Sequence, residues 1–161
     1  MALLTDDNHA VFMDGDTMFL TPDYGMIIAK YVEQYPDTVL TCWTNRIHEL
    51  AIGQLDKLAP ATDSIADHIR YAKEVSEREV NVTPITGPVS GFLMVVPKRV
   101  WLQHKFTEVQ VYAKSGPYNL LGVDNEFTNG VRVLGIPVLR MNSIYIFHTY
   151  RLLDGSKAHL L

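Results

Sequence analysis

Residues 11–20 read VFMDGDTMFL, and the fold and the chemistry of the chain are both organised around them. Val11, Phe12 and Met13 form an apolar approach that reads as the end of a buried strand. Polarity flips at Asp14-Gly15-Asp16-Thr17, and Met18, Phe19 and Leu20 return to apolar character. Two carboxylates one residue apart at a strand end make a hard oxygen-ligand site suited to Mn²⁺ or Mg²⁺. Gly15 between them lets the backbone crowd a ligand. An ordinary polar turn built on Asp-Gly is the competing reading of the same residues.

Outward from this stretch the chain alternates strands and helices. His9 to Met13 is a strand. Thr21 and Pro22 read as the cap and first position of a helix, with Tyr24, Ile27, Ile28, Tyr31, Val32 and Tyr35 at helical spacing. Thr38 to Trp43 is β-branched and apolar, a buried strand running into Thr44-Asn45-Arg46. Residues 47–58 form a short helical segment. Asp63 or Ser64 caps a helix with Ile65, Ile69, Ala72 and Val75 on its inner face. Residues 81–86 are extended, and 92–96 form a strongly apolar strand after Gly87-Pro88-Val89-Ser90-Gly91. Pro97 opens a helix with Val100, Trp101 and Phe106, and residues 114–119 form a loop. Asp124 begins a helix that ends at Gly135, residues 137–148 form the last strand, and the tail beyond Arg151 is a mobile or docking end. This order predicts one α/β domain over residues 1–161, with a mostly parallel central sheet flanked by helices.

Composition narrows the function classes. The chain has 161 residues, 47% hydrophobic and 20% charged, a size that supports a core without disulfides or structural metal. The formal net charge is −4 with scattered Lys and Arg, which argues against a nucleic-acid partner. Cys42 is the one cysteine, so no cysteine zinc cluster forms; the residue reads as buried and inert. The polar residues 1–10 do not resemble a signal peptide, and no apolar run is long enough to be a transmembrane segment. The expectation is a soluble, cytoplasmic protein.

Ligands of open α/β sheets gather beyond strand carboxyl ends. Three polar clusters occupy such places: Asp14-Gly15-Asp16, Thr44-Asn45-Arg46 and His148-Thr149-Tyr150-Arg151. A fourth, Gly122 to Phe127, opens a helix whose dipole favours a carboxylate.

With these clusters in view, the sequence resembles the catalytic half of a GT-A-fold glycosyltransferase, nearest to glycosyltransferase family 2 and its polypeptide-glycosaminyl relatives. VFMDGDTMFLTPD resembles the family's strand ending in DxD. GPVSGFLMVVPKRVW is similar to its glycine-containing acceptor strand and following helix. GVDNEFTNGVRVLG looks like its G-x-D-x-[DE] helix, and IYIFHTYR resembles the late strand ending in a histidine. The match runs over residues 9–151 in the family's order.

The resemblance implies a nucleotide-sugar donor, a hydroxyl acceptor on a glycan, lipid or protein, and an inverting transfer. Asp14 and Asp16 would engage the metal under the donor diphosphate, with His148 as a further ligand. Asp124 would be the catalytic base, and Gly91 would let donor sugar or acceptor approach the backbone. Glu126 is a candidate for acceptor contact or for orienting Asp124, against a plain first-turn acid. Arg46 and Arg151 are candidates for holding a diphosphate, against surface ion pairing. Trp43 is a candidate for stacking on a sugar, against core packing. His9, His48, His68, His104 and His159 have no ligand-like spacing.

Family members place a nucleotide-binding βαβ half before the DxD strand, whereas Asp14 here lies near the amino terminus. A fragment, a second polypeptide supplying that half, and loss of transferase activity each account for this. An uncovered flank along Val11, Phe12, Met13 and the helix of Ile27, Ile28 and Tyr31 would favour a homo-oligomer or a partner chain. Two rival readings stand beside the transferase. One is a non-catalytic nucleotide-sugar or glycan-binding remnant of the same fold. The other is a haloacid-dehalogenase-like phosphatase, whose motif needs Thr or Val where this chain has Met18.

Overall fold

The computed structural model describes residues 8–47, 49–106 and 122–149. The 114–119 loop, Arg151 and the tail lie outside the described residues. Strands β1 (His9–Met13), β2 (Thr17–Phe19), β3 (Val39–Thr44), β4 (Val82–Pro84), β5 (Leu93–Pro97) and β6 (Val138–His148) form one sheet. Helices α1 (Tyr24–Gln34), α2 (Ile65–Ser76), α3 (Lys98–Gln103) and α4 (Val123–Val133) pack around it. A short 3₁₀ segment, Glu49–Gln54, stands where the sequence predicts a brief helix. No helix among the described residues is long and apolar enough to cross a membrane.

The sheet order is β1-β5-β3-β6-β2, with β4 also on β6. Of its pairs among the described residues only β3/β6 is parallel; β1/β5, β3/β5, β2/β6 and β4/β6 are antiparallel. The α/β class is therefore as expected, but the mostly parallel sheet is not. Alternating strands and helices give a parallel sheet only when each helix carries the chain back to a strand of the same direction. Here α3 and α4 join β5 to β6, which run oppositely, and α1 joins β2 to β3, which also run oppositely.

The sheet is strongly curled. Met13 pairs with Leu93 at one edge and Thr17 pairs with His148 at the other, both at the same end of the sheet. Met13 to Thr17 is at most about 14 Å of extended chain, whereas four strand spacings in a flat sheet come to about 19 Å. The acidic loop closes that distance only because the sheet bends round beneath it.

Side-chain alternation divides the core. Leu40, Cys42, Leu93, Val95, Ile144 and Ile146 face α1 with Ile28 and Tyr31. On the other face Val39, Met94 and Val96 meet Phe127 and Val131 of α4, and Tyr145 meets Tyr71, Ala72 and Val75 of α2.

Two helix expectations need correction. α1 begins at Tyr24 behind Asp23, whose φ is 51°, so Thr21 is not its cap. Thr21 is instead buried, its hydroxyl donating to the Tyr145 carbonyl and accepting from the Tyr145 N–H. α2 starts after Ser64 as predicted, the Ser64 hydroxyl accepting from Asp67 N. Its buried face, however, is His68, Tyr71, Ala72 and Val75, while Ile65 and Ile69 are about half exposed. The 68, 71, 72, 75 set keeps helical spacing, and two polar-tipped aromatics displace the isoleucines because each finds a buried hydrogen-bond partner. α4 ends as predicted at Gly135, whose φ of +76° admits the closing bonds from Gly135 N to Arg132 O and Ile136 N to Val131 O.

The predicted uncovered flank is partly filled. Ile28 and Tyr31 are buried, and Phe12 packs on Trp101 and Phe106. Val11 and Met13, on the edge strand β1, remain 50% and 46% exposed.

Candidate metal centre

The carboxyl ends of β1, β3 and β6 and the starts of β5 and α4 meet beneath the acidic loop. The loop's main chain is pinned on both sides. Asp14 N donates to Phe92 O over 3.2 Å, and both the amide and the hydroxyl of Thr149 donate to Asp16 O, at 2.9 and 2.8 Å. The Thr17 hydroxyl donates to Asp14 O at 2.7 Å, which closes the turn.

This brings a carboxylate oxygen of Asp14, a carboxylate oxygen of Asp16 and a ring nitrogen of His148 within 4.8 Å of one another. Donor atoms held about 2.1 Å from one ion lie up to about 4.2 Å apart, so only a small closing motion is required. The electrostatics fit a cation as well. Partial burial, reinforced by Asp16 and by Asp124, pushes the Asp14 carboxyl up, and His148 opposes the shift.

His148 is held as a ligand would be. It is buried; its N–H donates to Asn45 Oδ1 at 2.7 Å, and its ring stacks on Phe92 at 5.4 Å. Nδ1 lies 3.0 Å from the Arg46 carbonyl. A carbonyl only accepts, so Nδ1 carries the proton, and in the neutral ring Nε2 presents its lone pair. Nε2 lies 3.3 Å from Asp16 Oδ1. A backbone acceptor behind the non-ligating nitrogen is the usual support of metal-binding histidines.

Asp124 stands at the first turn of α4. Its Oδ2 accepts from Gly91 N at 2.8 Å and its Oδ1 from Asn125 N at 2.9 Å. Asn125 Oδ1 in turn accepts from Val89 N, which docks the start of α4 onto the Val89-Ser90-Gly91 stretch. The contact is close: a Cβ at Gly91 would sit 3.0 Å from Asp124 Cβ and 3.2 Å from Met94 Cε. That is the physical need for glycine there.

The structure thus brings together Asp14, Gly15, Asp16, His148, Asp124 and Gly91. Glu126 is half-buried two residues along α4, turned about 200° from Asp124 around the helix axis. Trp43 is not part of the cluster. It pairs with Tyr145 and lies on the α2 face of the sheet, opposite Ile146 and His148, with the Arg140 guanidinium 3.3 Å over its ring. Arg46 is not a surface residue: it is 1% exposed and ion-paired with Asp63. Arg151 lies outside the described residues. Asn45, the Arg46 carbonyl and Thr149 are supports that the sequence reading missed. The strand-end position of Thr44-Asn45-Arg46 was the available signal, but which neighbour the cluster serves depends on the β3/β6 pairing. No protein-family model, curated protein or solved structure matches the chain.

Proposed function

We propose that the chain is a divalent-cation-dependent glycosyltransferase that transfers a sugar with inversion from a nucleotide-sugar to a hydroxyl acceptor, on a partial GT-A-like fold. The observation that carries this reading is the placement of Asp124 beside the Asp14/Asp16/His148 cluster, anchored through Gly91. Bound Mn²⁺ or Mg²⁺ supplies charge neutralisation for the departing diphosphate. Asp14, Asp16 and His148 would hold the ion, and the imidazole in this set would favour Mn²⁺ over Mg²⁺. Asp124 has an oriented carboxylate whose remaining lone pairs can take the acceptor hydroxyl proton as that oxygen attacks the anomeric carbon. Gly91 serves this site by donating its N–H to Asp124 Oδ2 and by leaving room for that carboxylate, rather than by an open approach for substrate. The edge strand β1, with Val11 and Met13 half exposed, supports association along that edge with a second copy or a partner chain.

A non-catalytic nucleotide-sugar binder is the second reading. It rests on the two main-chain hydrogen bonds that already occupy the Asp124 oxygens, as in a structural carboxylate. Mn²⁺-dependent release of nucleoside diphosphate from a panel of nucleotide-sugars decides between them. Turnover lost in both Asp16→Asn and Asp124→Asn supports the transferase. Binding without turnover supports the binder, and neither binding nor turnover removes both.

A further inference from the structure

A pocket of about 520 Å³ shares no residue with the candidate metal centre. Trp43, Arg140, Arg78, Lys57 and Asp56 form its polar part, and Ile52 and Leu58 stand at its apolar side. We propose that this pocket recognises a ring-bearing small molecule carrying an oxyanion, a sugar phosphate or a uronate.

Three cationic side chains line the pocket against one carboxylate, in a chain whose net charge is −4. That carboxylate is already engaged. Asp56 Oδ1 accepts from Leu58 N at 3.0 Å, and Oδ2 accepts from the Tyr71 hydroxyl at 2.6 Å and from Arg78 at 3.3 Å. Among the described residues the hydrogen bonds of Arg140 go to neutral acceptors: its Nε donates to Asn142 Oδ1 and its Nη1 to the Gly53 carbonyl, while its plane covers the Trp43 indole. Burial lowers its pKa to about 10. A partly desolvated guanidinium whose favourable charge neighbour, Asp56, is already shared with Tyr71 and Arg78 is a costly arrangement that a bound oxyanion relieves, and its fork geometry suits both phosphate and carboxylate. Size and lining decide the rest of the ligand. The volume falls in the range of small-molecule sites. Ile52 and Leu58, 61% and 77% exposed, offer apolar cover for a ring.

The test is calorimetric titration without divalent ions, using glucose 6-phosphate, glucuronate, glucose and inorganic phosphate, with tryptophan fluorescence followed in parallel. Saturable binding of either ring anion, roughly tenfold tighter than glucose and tighter than inorganic phosphate, is expected. The stronger of the two identifies the oxyanion. Arg140→Gln should weaken binding roughly tenfold. Because that change also removes the cover of Trp43, the exposed Lys57→Gln serves as the second variant, with a loss of a few-fold. Asp16→Asn should leave the affinity unchanged. No saturable binding up to about 10 mM overturns the proposal. So does binding that survives both cation substitutions, or that disappears in Asp16→Asn. Equal affinity for inorganic phosphate overturns the part assigned to the apolar side.

Discussion

The Nδ1 nitrogen of His148 donates to the main-chain carbonyl of Arg46 across 3.0 Å, joining the carboxyl ends of two parallel strands, β6 and β3. The bond fixes the imidazole tautomer and so decides which nitrogen is presented to Asp16. It is itself well supported, because the Arg46 side chain is buried against Asp63 and the adjacent Asn45 receives the His148 N–H. A candidate ligand set of two loop carboxylates thus gains one member from the rigid sheet.

His148→Ala and Asn45→Ala should separate ligation from support. His148→Ala removes a donor atom, and Mn²⁺ affinity should fall by at least the 10- to 100-fold seen when outer supports are lost. Asn45→Ala leaves all three donors in place and should stay within that 10- to 100-fold range. Titration calorimetry with Mn²⁺ measures both. Affinity unchanged in His148→Ala would show that the two carboxylates bind the ion alone.

Asp14 gives the cation effect a pH dependence. Its carboxyl is raised above the ordinary 3.8 by partial burial first and then by Asp16 and Asp124. The native state therefore binds the Asp14 proton more tightly than the unfolded chain does. Stability of the ion-free protein from this residue falls as pH rises from about 3.8 through the native value, and the penalty then stays constant. A cation favours the ionised form and offsets that penalty. Saturating Mn²⁺ at 100 times its Kd contributes about 2.7 kcal/mol, which for a chain of this size raises Tm by about 5–10 °C. The increment should be full at neutral pH and vanish once Asp14 is protonated. Thermal melts between acid and neutral pH, with and without Mn²⁺, test this; a pH-independent increment would place the ion elsewhere.

How much of this was legible in the sequence depended on whether a residue's role is local or requires knowing the strand pairing. The strands at 9–13, 39–44 and 138–148 and the close of α4 at Gly135 are local signals, in β-branched runs and turn chemistry, and they were readable. Asp14, Asp16, Gly91, Asp124 and His148 were named as site residues, and the fold places them together. Strand direction was misjudged, because the same alternation of strands and helices is written whether a helix returns the chain to a parallel or an antiparallel neighbour. Trp43 is left open by the sequence between sugar stacking and core packing for a related reason. It sits in a run buried on both faces, where alternation gives no cue to which side meets the ligand. Ile65 and Ile69 show the limit of hydrophobic spacing: His68 and Tyr71 are less apolar, yet they are buried because Tyr145 and Asp56 wait for their polar atoms.

Gly91→Ala tests the contact that carries Asp124. The added methyl would lie 3.0 Å from Asp124 Cβ, backed by Met94 Cε at 3.2 Å, so the start of α4 must shift. Overpacking of this kind costs about 1–3 kcal/mol, a fall in Tm of roughly 2–4 °C per kcal/mol. If the proposed transfer holds, turnover should drop by more than the folded fraction does, since a small misplacement of a catalytic group is expensive. Calorimetric Mn²⁺ affinity should hold within a few-fold, because the three donor side chains are not touched. A variant with full turnover would mean that the Gly91–Asp124 contact serves packing alone.

Asp124→Asn bears most directly on the proposed transfer. The substitution keeps size and one carbonyl oxygen, so it can still accept from Gly91 N or Asn125 N and keep α4 docked. It removes the ability to take a proton. If the carboxylate activates the acceptor hydroxyl, transfer should fall by 10²-fold or more while Mn²⁺ affinity and Tm change little. Because a base on the acceptor side requires attack opposite the leaving diphosphate, the wild-type product should carry the inverted anomeric configuration. Proton NMR of the first-formed product reads the configuration, and coupled release of nucleoside diphosphate reads the rate. Retained configuration, or an undiminished rate in Asp124→Asn, would assign Asp124 to the structural role that its two hydrogen bonds also permit.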